Sequence, residues 1–360
     1  MKNLRKNLYD YVIVGGGVAG LSCAYWLSKQ KGKKVALVDS GELLTTHCEK
    51  YFCDLTVGSL NHLYRIYKHH GVEKVVEVYK YFERNLDLIA SELEMLERDS
   101  YVSLYNGETI SLLEQGDKKE IADFQSFIHE LSKFDLPIKE VAKKDAWEFG
   151  AKYGHNANYQ SKDFIEKIYG TLKSEIDIFE KRTCKTISRR LDEILMTTVG
   201  GDEFRCKKII LANSNSLSKL LPELKDKVKT MEGIVYKFDV EINNLELVNY
   251  ANQRNNGYYA KLQDGFYFAK HAEANEDPTS GYLDEQEAKR SFDEFTKKTF
   301  PGVEICSKGV KAQLATTKHV MPLVGQSKTN PHLFYLGGFD GQSKLYAFKM
   351  AKDLVEKIKA

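Results

Sequence analysis

The sequence lacks the features that would assign it to a specialised class of protein. It has no run of about 18 apolar residues, which is the length that a membrane-spanning helix requires. It also has no internal repeat and no low-complexity segment, and its 360 residues include only six prolines. These absences disfavour membrane-spanning, repeat and disordered chains. We therefore expect a soluble globular protein of one large or two intimate domains.

Charge and cysteine content disfavour two further classes. Lys+Arg 53 against Asp+Glu 51 gives a net charge of +2, so we expect no nucleic-acid partner. The six cysteines are scattered without a CxxC pair or a zinc-ligand spacing, so we predict no metal site. The first ten residues are polar and basic and do not form a signal peptide, which favours a cytoplasmic protein.

What the sequence does contain is a glycine-rich turn near the N-terminus, in YVIVGGGVAGLSCAYWL (residues 11–27). An apolar, β-branched run predicts a buried strand that ends on Gly15, and apolar residues at helical spacing follow. In such a turn Gly15 reverses the chain, Gly17 lets the backbone approach a pyrophosphate, and Gly20 lets the helix pack on its strand. Free N–H groups at the helix N-terminus then face the phosphates. The residues predicted to hold a dinucleotide here are Gly15, Gly17, Val18, Ala19 and Gly20.

The end of the next predicted strand supplies an acid, as a dinucleotide site requires. The run Lys33–Val38 is typical of a buried strand, and Asp39 and Ser40 follow it directly. An acid at this place binds the ribose hydroxyls and disfavours a 2′-phosphate. The motif leaves open whether the dinucleotide is FAD or NAD.

The rest of the chain alternates helical and strand patterns, which predicts an α/β fold. A helix is expected through residues 75–96, and Asn106-Gly107 predicts a hairpin turn within Tyr101–Leu113. Parallel βαβ units at both ends with an antiparallel sheet between them imply a discontinuous nucleotide-binding domain with an inserted substrate domain. The nucleotide-binding domain is expected to comprise residues 1–95, 155–225 and 308–360, and the substrate domain residues 96–154 and 226–307.

The C-terminal stretch YLGGFDGQSKLYAFKMAKDL (residues 335–354) favours FAD over NAD. Together with residues 11–39 and HVMPLVG (319–325), it resembles the D-amino-acid-oxidase-like superfamily of FAD-dependent oxidoreductases, over the whole chain in order. The resemblance implies a Rossmann-like FAD-binding domain of the glutathione-reductase type and an inserted antiparallel-sheet substrate domain. It also implies that a C-terminal turn and helix approach the flavin through Gly337, Gly338, Gly341, Gln342, Ser343 and Lys344.

The family's reaction moves a hydride from the carbon beside an amine nitrogen to flavin N5, so the protein groups orient the substrate and tune the flavin. The segment Lys311–His319 contains no Arg, although relatives that bind amino acids often carry one there. In addition, Lys344 stands one position earlier than the basic residue of sarcosine oxidases. The candidate catalytic residues are Tyr259 and His271 in an aromatic hairpin, Lys318 and His319 before Pro322, and Lys344. For the hairpin residues, a half-buried sheet without a catalytic role is the alternative.

His47 raises the question of covalent flavin. Dimethylglycine and sarcosine dehydrogenases attach flavin to a histidine in a similarly placed Thr-containing segment, and His47 follows Thr45-Thr46 here. Covalent attachment, noncovalent contact and a plain loop histidine stay open at this residue. Noncovalent FAD is the expectation for the chain.

The sequence therefore predicts an FAD-dependent oxidase or dehydrogenase that oxidises the C–N bond of a small amine or amino acid. Oxygen or another acceptor would take the electrons. Three alternatives keep the fold: oxidation of a 2-hydroxy acid, oxidation of an amine carried on tRNA as in wobble-uridine modification, and a flavoprotein without turnover. The near-neutral charge argues against extensive RNA contact.

Overall fold

The computed structural model describes residues 8–46, 60–93, 105–114, 118–141, 147–158, 161–238, 248–252, 257–262, 265–271, 284–299, 302, 304–305 and 307–359. Within these ranges the strands are β1 (Leu8–Val14), β2 (Val35–Val38), β3 (Tyr105–Glu114), β4 (Ile138–Val141), β5 (Trp147–Asn158), β6 (Asp177–Phe179), β7 (Cys184–Arg190), β8 (Glu193–Thr198), β9 (Glu203–Leu211), β10 (Val228–Phe238), β11 (Val248–Asn252), β12 (Gly257–Leu262), β13 (Gly265–His271), β14 (Val310–Thr317), β15 (Leu323–Gln326) and β16 (Leu333–Gly337). The helices are α1 (Val18–Ser28), α2 (Leu43–Thr46), α3 (Leu60–His70), α4 (Val72–Leu93), α5 (Lys118–Leu131), α6 (Ser161–Leu172), α7 (Leu217–Leu220), α8 (Glu285–Thr299) and α9 (Ser343–Lys359).

The first sheet is built around β1 and has the strand order β15-β16-β9-β1-β2-β6. The pairs from β16 to β6 are parallel, whereas β15 and the β7–β8 hairpin join it antiparallel. β2 is buried along its whole length, as the continuous apolar run Val35–Val38 predicts for a strand covered on both faces. This arrangement confirms the expected α/β fold, and it brings the N-terminal and C-terminal parts of the chain into one sheet.

The second sheet has the order β14-β10-β13-β12-β11-β3-β5-β4. Its pairs are antiparallel except β11–β3, which is parallel. β14 belongs to this sheet although it lies within residues 308–360, which the sequence assigns to the nucleotide-binding domain. The division of the chain into two domains at the stated boundaries remains a prediction.

Helix α1 is buried on nearly all sides, from Ala19 to Leu27, because it lies between the first sheet and α9. The Trp26 indole Nε1 donates a hydrogen bond of 2.9 Å to the carbonyl of Phe348, and the two rings lie 5.1 Å apart. Full burial of such side chains contributes roughly 1.5–3 kcal/mol each. The C-terminal helix is thereby fixed against the helix that follows the glycine-rich turn.

The structure corrects the hairpin expected at Asn106-Gly107. β3 runs without reversal from Tyr105 to Glu114 and pairs with β5, and the register shifts between Gly107 and Thr109. Gly107 therefore lies beside a strand irregularity, where glycine is also common, and not in a turn. The helix expected through residues 75–96 is confirmed as α4 up to Leu93, and residues 94–96 lie outside the described residues. β12 and β13 pair antiparallel as the sequence predicts.

Candidate active site

A cavity of about 860 Å³ lies at the carboxyl ends of β1, β2, β9 and β16, where they face β10 and β14 of the second sheet. Open α/β sheets bind ligands at this edge. The volume falls in the range of about 300–1,000 Å³ that is usual for ligand pockets. Of the residues that the sequence predicts for a dinucleotide, those that line the cavity are Gly15, Gly17, Val18, Ala19, Asp39, Ser40, Gly337, Gly341, Gln342, Ser343 and Lys344.

The glycine-rich turn has the geometry that its sequence requires. Gly15 has φ +106°, and a Cβ added there would lie 2.5 Å from the carbonyl oxygen of Ala212. A Cβ at Gly20 would lie 1.7 Å from the carbonyl oxygen of Gly15, so only glycine lets α1 start this close to the turn. Gly17 caps α1 without a side-chain hydrogen bond, and the first turn of α1 holds no acid. Its N-terminal N–H groups thus form a site for an anion at the cavity wall.

Asp39 has a second role that the sequence does not indicate. Its buried carboxylate accepts hydrogen bonds from the backbone N–H of Gly16 at 2.6 Å and of Gly41 at 2.7 Å. The acid therefore ties the end of β2 to the glycine-rich turn. A carboxylate offers about four acceptor positions, so these two bonds are compatible with ribose binding.

The C-terminal turn between β16 and α9 forms the opposite wall of the cavity. Gly338 has φ +71° and Gly341 has φ +79°, and a Cβ at Gly338 would lie 2.6 Å from Cγ2 of Thr317. Asn85 of α4, which is fully buried, donates to the carbonyl of Lys344 at 2.8 Å and accepts from the N–H of Lys349 at 2.9 Å. This amide fixes the first turn of α9. Lys344 is itself only 6% exposed and lines the cavity.

A buried polar cluster lies behind this turn. His62 of α3 approaches the Asp340 carboxylate, with 3.6 Å between its Nδ1 and Oδ2, and its Nε2 is 3.0 Å from the hydroxyl of Tyr346. Burial lowers the pKa of His62 below its ordinary 6.5, Asp340 acts in the opposite direction, and Arg65 lowers it further. Burial acts to raise the pKa of Asp340, but Arg65 and His62 outweigh it, so this pKa is lowered.

The lowered pKa of His62 predicts a loss of stability on mild acidification. The folded state binds a proton at His62 less readily than the unfolded state does. The contribution of neutral His62 to the free energy of unfolding is therefore complete above pH 6.5 and declines as the pH falls below 6.5. The lowered pKa of Asp340 adds a loss only below about pH 3.8. We expect the Tm to fall between about pH 7 and pH 5, and His62→Gln to flatten this part of the profile. Equal slopes in the two proteins would contradict the assignment.

The structure does not bring Lys318 and His319 to the cavity. Both are exposed on the turn after β14 and are absent from its lining. The ring of His319 instead lies 5.8 Å from that of His69 and 6.0 Å from that of His70, at the end of α3. Gly20 and Gly338 shape the two turns without lining the cavity.

Both hairpin candidates belong to strands of the second sheet, and Tyr259 of β12 pairs with Phe268 of β13. His271 stands opposite Gly233 of β10, which lines the cavity. His47 lies outside the described residues. Within the described ranges, no group of three or more His, Cys, Asp or Glu side chains is arranged to hold a metal ion.

Sequence patterns do not predict two further parts of the lining, Arg182–Lys185 and Glu232–Val235. The first follows β6, and Arg182 donates its backbone N–H to the carbonyl of Asp39 at 2.7 Å. Its place depends on the parallel pairing of β6 with β2, for which the sequence carries no local signal. The second belongs to β10, which pairs with β14.

A helix N-terminus without a side-chain cap, at the carboxyl edge of a parallel sheet, is typical of an α/β protein of the dinucleotide-binding class. The family model for FAD dependent oxidoreductases (DAO) matches residues 10–357, and the chain belongs to this family. It is thus an FAD-dependent oxidoreductase, as its sequence predicts. No helix among the described residues combines the length and apolar character needed to cross a bilayer.

Solved structures share this fold over nearly the whole chain. Glycine oxidase from Geobacillus kaustophilus superposes with a TM-score of 0.79, at 15% identity, over 98% of this chain and 95% of its own. L-proline dehydrogenase from P. horikoshii gives a TM-score of 0.76, at 14% identity, over 98% of this chain and 93% of its own. L-alpha-glycerophosphate oxidase from Mycoplasma pneumoniae, a structure with FAD bound, gives a TM-score of 0.74, at 16% identity, over 98% of this chain and 95% of its own. Such identities show the fold alone.

A sequence match to a curated protein is short. It pairs 32 residues, 69% identical, with the hydrogen cyanide synthase subunit HcnC of Pseudomonas protegens. The match spans 9% of this chain and 8% of that protein.

The cavity fits FAD by its own chemistry. The side-chain oxygen of Asn213 is buried at the cavity and has no hydrogen-bond partner within the described part of the chain. An amide can present its N–H₂ or its oxygen to a ligand by rotation, and Asn213 lies directly beside the glycine-rich turn. Together with the uncapped N-terminus of α1, this residue provides unsatisfied polar groups where a pyrophosphate would lie.

Proposed function

We propose that the chain oxidises the C–N bond of a small amine or amino acid, with FAD held in the 860 Å³ cavity. The observation that carries the proposal is that both ends of the chain line this one cavity. Gly15 and Gly17 form one wall, and Gly341 and Lys344 form another. A dinucleotide fingerprint alone would accept NAD, whereas a site closed by a C-terminal turn is the arrangement that the FAD-dependent family implies.

The chain's own residues bind and orient, and FAD when bound supplies the hydride acceptor. The N-terminus of α1 would hold the pyrophosphate, and Asp39 and Ser40 the adenosine ribose. The turn at Gly337–Gly341 and the N-terminus of α9 would lie against the flavin. Their N–H groups would favour negative charge on the reduced flavin.

Lys344 and His271 are the proposed substrate-side groups. Lys344 is a buried cation at the cavity, where it can attract an anionic group of the substrate or stabilise developing negative charge. His271 occupies the position opposite Gly233 in the sheet that closes the cavity. β14 contributes Lys311, Gln313, Leu314 and Ala315 to the lining and no arginine, and Lys311 is exposed and ion-paired with Glu285. An amino-acid carboxylate would therefore rely on a lysine such as Lys344 and not on an arginine of this strand. Oxygen or another small acceptor would reoxidise the enzyme.

We propose noncovalent attachment of FAD. The described lining residues include no histidine and one cysteine, Cys184. Burial raises the pKa of the Cys184 thiol to about 12, so it offers no thiolate for a covalent bond at neutral pH.

Anaerobic reduction of the bound flavin tests the proposed reaction. We expect the visible flavin absorbance to bleach with at least one amine or amino acid, because hydride transfer to the flavin needs no oxygen. Each amino acid is paired with the 2-hydroxy acid of the same side chain, for instance alanine with lactate, so that only the oxidised bond differs. Bleaching by hydroxy acids alone, or by no amine in a broad panel, would overturn the proposal.

A further inference from the structure

A half-exposed arginine outside the cavity is joined to a buried residue of the cavity wall. Arg65 of α3 donates from Nη1 to Oδ2 of Asp340 at 2.5 Å. The Arg65 side chain is 37% exposed, whereas that of Asp340 is 1% exposed. Asp340 lines the cavity, and neither Arg65 nor His62 does so. The contact therefore connects α3 to the wall from behind.

Asp340 stands in a strained part of the C-terminal turn. It has φ +54°, a conformation that is unfavourable for a residue with a side chain, and it lies between Gly338 and Gly341, which also have positive φ. Its own backbone N–H donates to the carbonyl of Ala315 in β14 at 2.9 Å. A strained backbone of this kind persists only where the surroundings determine it. Here the side-chain contacts with α3 and the backbone contact with β14 do so together.

The backbone conformation of the turn at residues 337–342 sets the direction of α9. The N–H of Gln342 donates to the carbonyl of Phe339 at 2.8 Å, and the N–H of Leu345 donates to that of Gln342 at 3.0 Å. A change at Asp340 would thus be transmitted to the first residues of α9, Ser343 and Lys344, which line the cavity. The hydroxyl of Tyr346 in the same helix is 3.0 Å from His62 Nε2, so α3 contacts both the turn and the helix.

We propose that Arg65 and His62 are positioning residues, which act through Asp340 to hold residues 337–344 in the conformation that receives the flavin. This inference rests on the proposed FAD site. It adds that the affinity and the reduction potential of the flavin depend on an ion pair with a helix that does not line the cavity. A negative charge left at Asp340 without Arg65 would also disfavour the reduced, anionic flavin.

The variants Arg65→Gln and Asp340→Asn test whether this ion pair positions the C-terminal turn for the flavin. Asparagine keeps the shape of the aspartate and tolerates positive φ, and Arg65 is accessible enough for its replacement to leave the fold intact. We expect each variant to raise the Kd of the flavin-free protein for FAD at least tenfold, as measured by the quenching of FAD fluorescence. We expect the double variant to add less than the product of the two effects, because both act through one contact.

The midpoint potential of the FAD-saturated variants separates positioning from a merely structural role. A structural role would lower the Tm of the flavin-free protein and leave the potential unchanged, whereas positioning shifts the potential. Arg205→Gln is the matched control, because it breaks an exposed ion pair with Glu193 on the far part of the first sheet. Wild-type Kd and potential in Arg65→Gln would overturn the inference, even if Asp340→Asn fails to fold. Absence of FAD binding by the wild-type protein would instead overturn the proposed function and this inference together.

Discussion

Replacing Gly15 with alanine is expected to remove FAD from the protein. A Cβ at this position would lie 2.5 Å from the carbonyl oxygen and 2.7 Å from the carbonyl carbon of Ala212, and the φ of +106° is one that L side chains rarely adopt. The added atom meets backbone, which cannot rotate aside, so the turn must open where the pyrophosphate would bind. We expect FAD affinity to fall at least 100-fold, or about 2.7 kcal/mol. The ratio of flavin to protein after purification and a titration of the flavin-free protein measure this change.

Gly32→Ala is the matched control for this prediction. Gly32 also has a positive φ, +75°, but a Cβ there would meet nothing within 4 Å, and the residue does not line the cavity. It carries the same kind of backbone strain, about 1–2 kcal/mol, without the collision. We expect a modest loss of stability and unchanged FAD content. Loss of FAD in both variants, or in neither, would show that the crowding at Gly15 does not govern binding.

The parts of the cavity wall that the sequence predicts are those with a local cause. Gly15 and Gly20 are required by contacts within a few residues or with the adjacent strand, and the glycine spacing records them directly. The C-terminal turn is similar, since Gly338 and Gly341 both adopt a positive φ that favours glycine. The glycine pattern marks each turn by itself, whereas the expectation that the two turns belong to one site comes from the resemblance to the FAD-dependent family.

The parts that the sequence does not predict depend on partners distant in the chain. Asn106-Gly107 has the composition of a hairpin turn, but β3 continues through it because its partner is β5, some forty residues later. Asp39 is predicted as a ribose ligand, and only the structure shows that it also holds Gly16 and Gly41. The contact between Arg65 and Asp340 spans 275 residues and leaves no pattern in the sequence.

The structure also distinguishes between two lysines that the sequence treats alike. Lys318 and Lys344 are both candidates by resemblance, but Lys318 is exposed on a surface turn and Lys344 is buried at the cavity. Lys344 reaches that place because Asn85 binds its carbonyl and fixes the start of α9. The distinction depends on tertiary packing, which neither charge nor spacing reports.

Lys344→Met is therefore expected to slow substrate oxidation strongly while leaving FAD in place. Methionine retains the length and apolar stem of lysine and removes its charge, so the packing at the start of α9 is preserved. If Lys344 orients the substrate or stabilises developing charge, the rate of anaerobic flavin reduction should fall about 100-fold, the effect of losing one well-placed donor. Stopped-flow absorbance with the best substrate of the amine panel measures this rate, and a fluorescence titration measures the FAD affinity.

Lys357→Met, in the same helix, is the control for this substitution. Lys357 is exposed and does not line the cavity, so both its reduction rate and its FAD affinity should match those of the wild type. A wild-type reduction rate in Lys344→Met would remove Lys344 from the substrate site. A loss of FAD affinity as large as the loss of rate would instead assign the lysine to the cofactor, because a substrate-side group affects the chemical step and not the retention of flavin.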